Sequence, residues 1–441
     1  MTKGFKTTLG DREFTVALWI SAIALGIVFF AFYHYQFTEW KTGGVARDYK
    51  DHLDTALSFV EYCDAYHFKA LEVFKAENRY SHVIAYPAWH VLVILASKVF
   101  GLFGAVLTRE EVLVFSVVSV NVLLLLASYL VIARYFRKLS NGIAAIIASV
   151  CVMFCGPLDN LALFDSYYLG AYTGNLWHNP TYLAVKPLAI ACFLLFADIL
   201  ADKSAKFRDY AKAAVLLGLS AFCKPSFYQC FVPALVVYCV LHWAIARDRE
   251  TFLHFAKVAG ACVPIALVAA FQSGFALSGD GGAGLSMEWL YVIEHYTEQW
   301  VRCILLSVAF PLLVFVLAAV GRRWNGKVEL ALWTLVSALA MYLLFYIDIS
   351  PFAGDFSWAV GLALNIGFVV GAGELLRWWS QGGTVGRILA ASGAVLFAAH
   401  VLCGLLYFLN VWETSDFLCK YGLSGSLADL WRDNRSLLRA K

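Results

Sequence analysis

Stretches of about 20 apolar residues recur along almost the whole of this 441-residue chain, and the basic residues of the short connections between them gather on one side. A helix needs roughly 20 residues to cross roughly 30 Å of hydrocarbon, and it is favoured there because it satisfies its own backbone hydrogen bonds where water cannot. About eleven such segments are predicted, over 14–33, 110–133, 142–158, 182–200, 211–223, 226–246, 252–275, 302–320, 328–347, 357–376 and 388–410. With 61% apolar residues and only 15% charged, the chain cannot build a water-soluble surface. The expected fold class is an all-α polytopic membrane protein. It has one transmembrane domain over 1–410, with a first outer loop over 34–109, and a short outer tail over 411–441. No small-residue cleavage site follows the first segment, so it reads as an anchor span and not a removed leader.

The apolar stretch 86–103 decides the topology, because it begins beside Pro87 and carries His90 and Lys98. If it spans, Arg134, Arg137 and Lys138 fall on the opposite side from Lys3, Lys6 and Arg12, against the positive-inside rule. Laid along the outer interface as a juxtamembrane helix, it restores the alternation. The cytoplasmic connections then hold 18 of the 34 Lys and Arg residues, and the short outer connections hold only Lys186, Lys224 and Arg302. The amino terminus is expected in the cytoplasm and the carboxyl terminus outside, in a plasma (inner) membrane.

The net charge of +3 is thus a trace of membrane insertion, and no basic strip for nucleic acid is present. No zinc-ligand spacing or phosphate loop occurs either, and neither a metal nor a cofactor is expected. Most of the eleven cysteines lie in or at the ends of spans, where cysteine acts as a small hydrophobe. Cys63 and Cys419 fall in outer segments, and spacing does not decide whether they pair.

The first outer loop carries the densest chemistry. In RDYKDHLDTAL, Asp48 and His52 share a helical face at i, i+4, and Asp51 lies about 60° off it. A partly desolvated carboxylate at the mouth of a membrane cavity acquires the raised basicity of a general base. Acids in the first turn of a helix also favour its dipole with no further role. Asp48 is the preferred base, with Asp51 and His52 as its companions.

Further outer segments converge on the same side. DSYYLGAYTGNLWHNPTYLAVKP supplies Asp165, Trp177, His178, Asn179 and Lys186. Rings suit sugar faces and cations suit phosphate, although an interfacial aromatic belt would also explain the Trp and Tyr residues. Lys224, before Pro225, either meets an anion or snorkels to the headgroups. IDISPFAGDFSWA places Asp355 at a span end, where it is either a site acid or a helix cap. Tyr86 and His90 open the interfacial helix and complete the candidate substrate-binding set.

In layout the chain resembles the GT-C superfamily of integral-membrane glycosyltransferases, which includes the protein mannosyltransferases and the lipid A aminoarabinose transferases. The likeness rests on a first span, an outer loop with an early acidic motif at Asp48, Asp51 and His52, and Tyr86-Pro87 with His90 opening an interfacial helix. Lys224-Pro225 looks like a Lys-Pro pair between two middle spans, and WHNPTYLAVKP and GDFSWA look like elements of poorly characterised bacterial members. The chain lacks the adjacent Asp-Glu pair of the mannosyltransferases.

The resemblance implies an inverting hexosyl- or pentosyltransferase. Its donor would be a polyprenyl-phosphate sugar and its acceptor a glycan, lipid or protein at the outer face. Lys186, Lys224 and Arg302 are the candidate lipid-phosphate cations. A transporter or flippase of a lipid-linked amphiphile is the rival from another class, and would want charges at mid-membrane and inverted repeats. An inactive scaffold of the same layout is the third reading.

Overall fold

The computed structural model describes residues 10–38, 45–65, 81–158, 172–273, 284–348 and 354–415. The chain is an all-α polytopic membrane protein. Its helices run α1 (Asp11–Phe37), α2 (Val45–Ala65), α3 (Ser81–Ala85), α4 (Ala88–Gly101), α5 (Arg109–Arg137), α6 (Gly142–Val152), α7 (Pro180–Ala201), α8 (Phe207–Cys223) and α9 (Ser226–Ala246). They continue through α10 (Arg249–Phe271), α11 (Tyr291–Tyr296), α12 (Trp300–Val320), α13 (Gly326–Leu344), α14 (Ser357–Gln381) and α15 (Gly383–Thr414). Two short strands, β1 (Leu285–Met287) and β2 (Phe345–Ile347), pair antiparallel with Ser286 opposite Tyr346.

Among the described residues nine helices are long and apolar enough to cross a bilayer: α1, α5, α7, α9, α10, α12, α13, α14 and α15. The other two predicted spans take different forms. The segment predicted at 211–223 lies in α8, a helix of 17 residues that begins among Arg208, Asp209 and Lys212. The segment predicted at 142–158 is helical only to Val152, after which the backbone turns. The stretch 86–103 contains the 14-residue α4, about 21 Å long at helical rise and shorter than the hydrocarbon core.

α14 is the central post and is buried along nearly its whole length. It packs against α6, α7, α9, α12, α13 and α15, so its two ends carry the elements gathered at each end of the bundle.

The turn after α6 is held without regular structure. Gly156 N–H donates to His400 O at 3.1 Å and Leu158 N–H to Leu306 O at 3.1 Å, so this irregular backbone is bonded inside the protein. The approach of α15 to this turn requires glycine, because a Cβ at Gly404 would run into the Phe154 carbonyl oxygen. Gly404→Ala is therefore expected to cost about 3 kcal/mol or more, since backbone and not a movable side chain is in the way. Gly218→Ala in α8, where an added Cβ meets nothing within 4 Å, should be neutral or slightly stabilising. Thermal unfolding of the detergent-purified proteins measures both, and equal melting temperatures would refute the close approach.

Candidate functional site

α2 buries Tyr49, Leu53 and Ala56, spaced as one helical face, and Asp48 sits at the edge of that face. Tyr49 packs edge-on against Phe37 of α1 with ring centroids 5.0 Å apart. The hydroxyls of Tyr33 and Tyr49 both donate to the Trp177 carbonyl, at 3.0 and 3.3 Å. Two helices thereby grip one carbonyl of the segment 172–179 and bring the residues after it beneath Asp48.

Asn179 is the joint of the site. It is the N-cap of α7, with Pro180 at the first helical position, and its Oδ1 accepts the Tyr182 N–H at 2.8 Å. The same oxygen accepts the Thr181 hydroxyl at 2.8 Å and the Lys224 ammonium at 3.3 Å. Three donors on that atom fix the orientation of the amide. Its Nδ2 is left to donate to Asp48 Oδ2 at 3.0 Å.

Lys224 arrives from the break between α8 and α9. Its extended backbone (φ −167°, ψ 138°) is the conformation that a following proline imposes. Besides Asn179, Lys224 Nζ donates to Thr181 Oγ1 at 3.1 Å and stands 4.4 Å from the centroid of Trp358. Pro225 has no N–H for the Ala221 carbonyl four residues earlier. Gln272, at the end of α10, supplies the bond: its Nε2 donates to Ala221 O at 2.9 Å and to Ala85 O at 2.7 Å. One amide therefore ties the Lys224 break to the residue before Tyr86.

The electrostatics follow from burial. Asp48 is half-buried, and desolvation pushes its carboxyl up to about 6 against the opposing pull of Lys224 and the Asn179 hydrogen bond. Burial lowers Lys224 to about 8, with the charges of Asp48 and Asp355 opposing the shift. Burial, with Lys224 adding to it, lowers His178 to about 3 and keeps the imidazole neutral; its ring lies 5.5 Å from Trp358. The Tyr86 hydroxyl is pushed up by burial and by the fields of Asp355 and Asp48. Asp48, Asn179, Lys224, His178, Tyr86 and Asp355 thus share one end of the bundle with Trp358. Asp355 lies just ahead of α14, whose N-cap Phe356 has no side-chain cap.

Other candidates lie elsewhere. Asp51 is exposed on α2. His52 Nδ1 is 3.0 Å from His90 Nε2, which pairs α2 with α4 beside the Asp48 site. The Trp177 ring is buried among Phe29, Phe154 and Phe408, so this residue meets the site through its carbonyl. Lys186 is buried on α7 and donates to Asn175 Oδ1, whose Nδ2 donates to the Val152 and Cys155 carbonyls at the end of α6. Arg302 is exposed at the start of α12, bonded to Gln299. Asp165 lies outside the described residues, and Cys419 and the Cys63 side chain do too.

Sequence reasoning passed over Trp358, Thr181, Gln272 and the Tyr33–Tyr49 grip. Trp358 and Thr181 stood inside segments already singled out, but which cation a ring receives depends on tertiary packing. Among the described residues no three His, Cys, Asp or Glu side chains group as a metal site. No protein-family model and no curated protein matches the chain.

A carboxyl whose folded value lies above its unfolded one favours the folded state at low pH, and that advantage is lost as pH rises through about 4 to 6. Above pH 6 the Asp48 charge is a net burden on folding. Asp48→Asn is therefore expected to melt higher than the parent at pH 7.5, with the gap closing towards pH 4. A variant that melts lower at pH 7.5 would refute the buried-charge description.

Proposed function

We propose that this protein is an inverting GT-C-type glycosyltransferase that moves a sugar from a polyprenyl-phosphate donor to an acceptor hydroxyl at the outer face of the membrane. The observation that carries the reading is the connection Asp48–Asn179–Lys224, a basic carboxylate and a buried ammonium joined through one oriented amide. Acyl and sugar chemistry both use bases of this kind. What favours the sugar is a cation held on an aromatic ring beside further polar groups, at the end of a bundle of apolar helices.

In this reaction Asp48 takes the proton of the acceptor hydroxyl while that oxygen attacks the anomeric carbon. The bond from that carbon to the phosphate oxygen breaks on the opposite side and configuration inverts. The electron pair leaves with polyprenyl phosphate, whose negative charge Lys224 stabilises. Trp358 and Tyr86 offer surfaces for the sugar, with His178 and Asp355 as polar partners. Lys186 and Arg302 take no part in this version, because their hydrogen-bond partners lie in other groups. No step is routed through a metal.

The matching topology has eleven spans, with α4 along the outer interface, the amino terminus in the cytoplasm of a plasma (inner) membrane and the carboxyl terminus outside. α6 with its bonded irregular continuation and α8 supply the two crossings beyond the nine long helices.

Purified protein with a radiolabelled polyprenyl-phosphate sugar tests the reading. Asp48→Asn should lose about 10² to 10⁴ in rate with the fold retained, and Asp51→Asn much less. Normal turnover by Asp48→Asn would remove it as the base, and no donor consumption by the parent at any pH would remove the enzyme.

The pH profile is a separate check. Rate should rise as Asp48 loses its proton near pH 6 and fall as Lys224 loses its own near pH 8, giving a bell. Lys224→Met should weaken donor binding and remove the alkaline limb, and a limb that survives would assign it to another group.

A further inference from the structure

At the end of the bundle opposite Asp48, α12 ends at Val320 and α14 ends at Gln381, and between them lies a cavity of about 250 Å³. Arg323, Trp324, Arg377 and Gln381 line it. The reading of the Asp48 end uses none of them.

The two guanidinium groups are in different states. Arg377 is neutralised by Glu374, to which its Nε donates at 2.9 Å and its Nη2 also donates, and Asn325 donates to the same carboxylate at 3.1 Å. Arg323 makes no ion pair among the described residues, and its Nη2 donates to the Gly382 carbonyl at 2.8 Å. Its Nε is buried with no hydrogen-bond partner. A buried N–H on a permanent charge without an acceptor is costly unless an anion supplies one.

The cavity also has a position. Trp324 and Trp379 are 40% and 57% exposed, and Val320 is exposed at the end of its span. Exposed tryptophans at helix ends mark the headgroup level of a bilayer, where lipid phosphate is the most concentrated anion.

We propose that this cavity binds the phosphate of an anionic phospholipid headgroup, with Arg323 as the main contact through its fork of N–H groups and Arg377, Gln381 and Trp324 as its walls. Glu374 stays paired to Arg377, so the site carries the single positive charge of Arg323. It suits a phosphodiester bearing one negative charge, and a zwitterionic headgroup would bring its own ammonium against both arginines.

Native mass spectrometry of the full-length protein, released from nanodiscs containing equal phosphatidylglycerol and phosphatidylcholine, reads out the site. The parent should retain phosphatidylglycerol, and Arg323→Gln should retain about tenfold less with phosphatidylcholine unchanged. Arg323→Lys keeps the charge but not the fork and should fall between them; if Arg323→Gln does not fold, a reduction in Arg323→Lys supports the site and no change overturns it. Phosphatidylglycerol retention by folded Arg323→Gln equal to that of the parent overturns the proposal. Displacement of the lipid by millimolar inorganic phosphate overturns the lipid assignment in favour of a soluble anion.

Discussion

The side-chain amide of Asn179 is the joint on which the Asp48 end of the molecule depends. Its oxygen closes the first turn of α7 and receives Lys224 and Thr181, and its nitrogen reaches Asp48 across the boundary between the spans and the first loop. One residue thereby sets the start of a buried helix, the position of a cation and the orientation of a carboxylate. An aspartate there would cap the helix equally well, but it would offer no N–H to Asp48 and would set a second negative charge beside it. Capping alone does not single out asparagine; capping together with the carboxylate does.

The joint works because the segment before it is fixed, although it has no regular structure. Residues 172–179 are all buried, so each backbone polar group needs a partner inside the protein. Tyr172 N–H donates to Ser307 Oγ, the Gly174 carbonyl accepts from Tyr182 Oη at 3.0 Å, and the Trp177 carbonyl accepts from two tyrosines. Thr173 and Asn175 in turn serve the carbonyls that α6 leaves open where it stops. Lys186 finishes this network through Asn175. The segment is costly to bury and for that reason rigid, which suits a part that must hold an amide to a fraction of an ångström.

Hydropathy made the long helices legible, because a bilayer penalises every interruption in the same way. The predicted 226–246 coincides with α9, and 110–133 lies within α5. The predicted 142–158 runs past the end of its helix, because hydrogen bonds to the His400 carbonyl and from the Asn175 amide sustain the chain there and leave no trace in hydropathy. At the site, helical pitch put Asp48 ahead of Asp51, and the fold places Asp48 against Asn179 with Asp51 exposed. Lys186, Lys224 and Arg302 look alike in sequence. What separates them is their neighbours: Lys224 meets Trp358 and Asn179, Lys186 meets Asn175, and Arg302 meets Gln299. Span boundaries place a cation at a membrane face but do not say towards which helix it turns.

Both ends of the bundle place a cation on a span end and differ in what surrounds it. At the Asp48 end, Lys224 has neutral acceptors and an aromatic face, with Asp48 and Asp355 near enough to feel its field. A weakly committed ammonium can transfer its attraction to an arriving phosphate without first breaking an ion pair, and a lysine does this through a compact charge free to turn about its stem. At the other end Arg323 is pinned by the Gly382 carbonyl and stands beside a neutralised partner, so its geometry is set in advance. Among the described residues neither cation has a carboxylate ion-pair partner: lysine meets that condition with a charge free to turn about its stem, and arginine with one fixed by a backbone carbonyl.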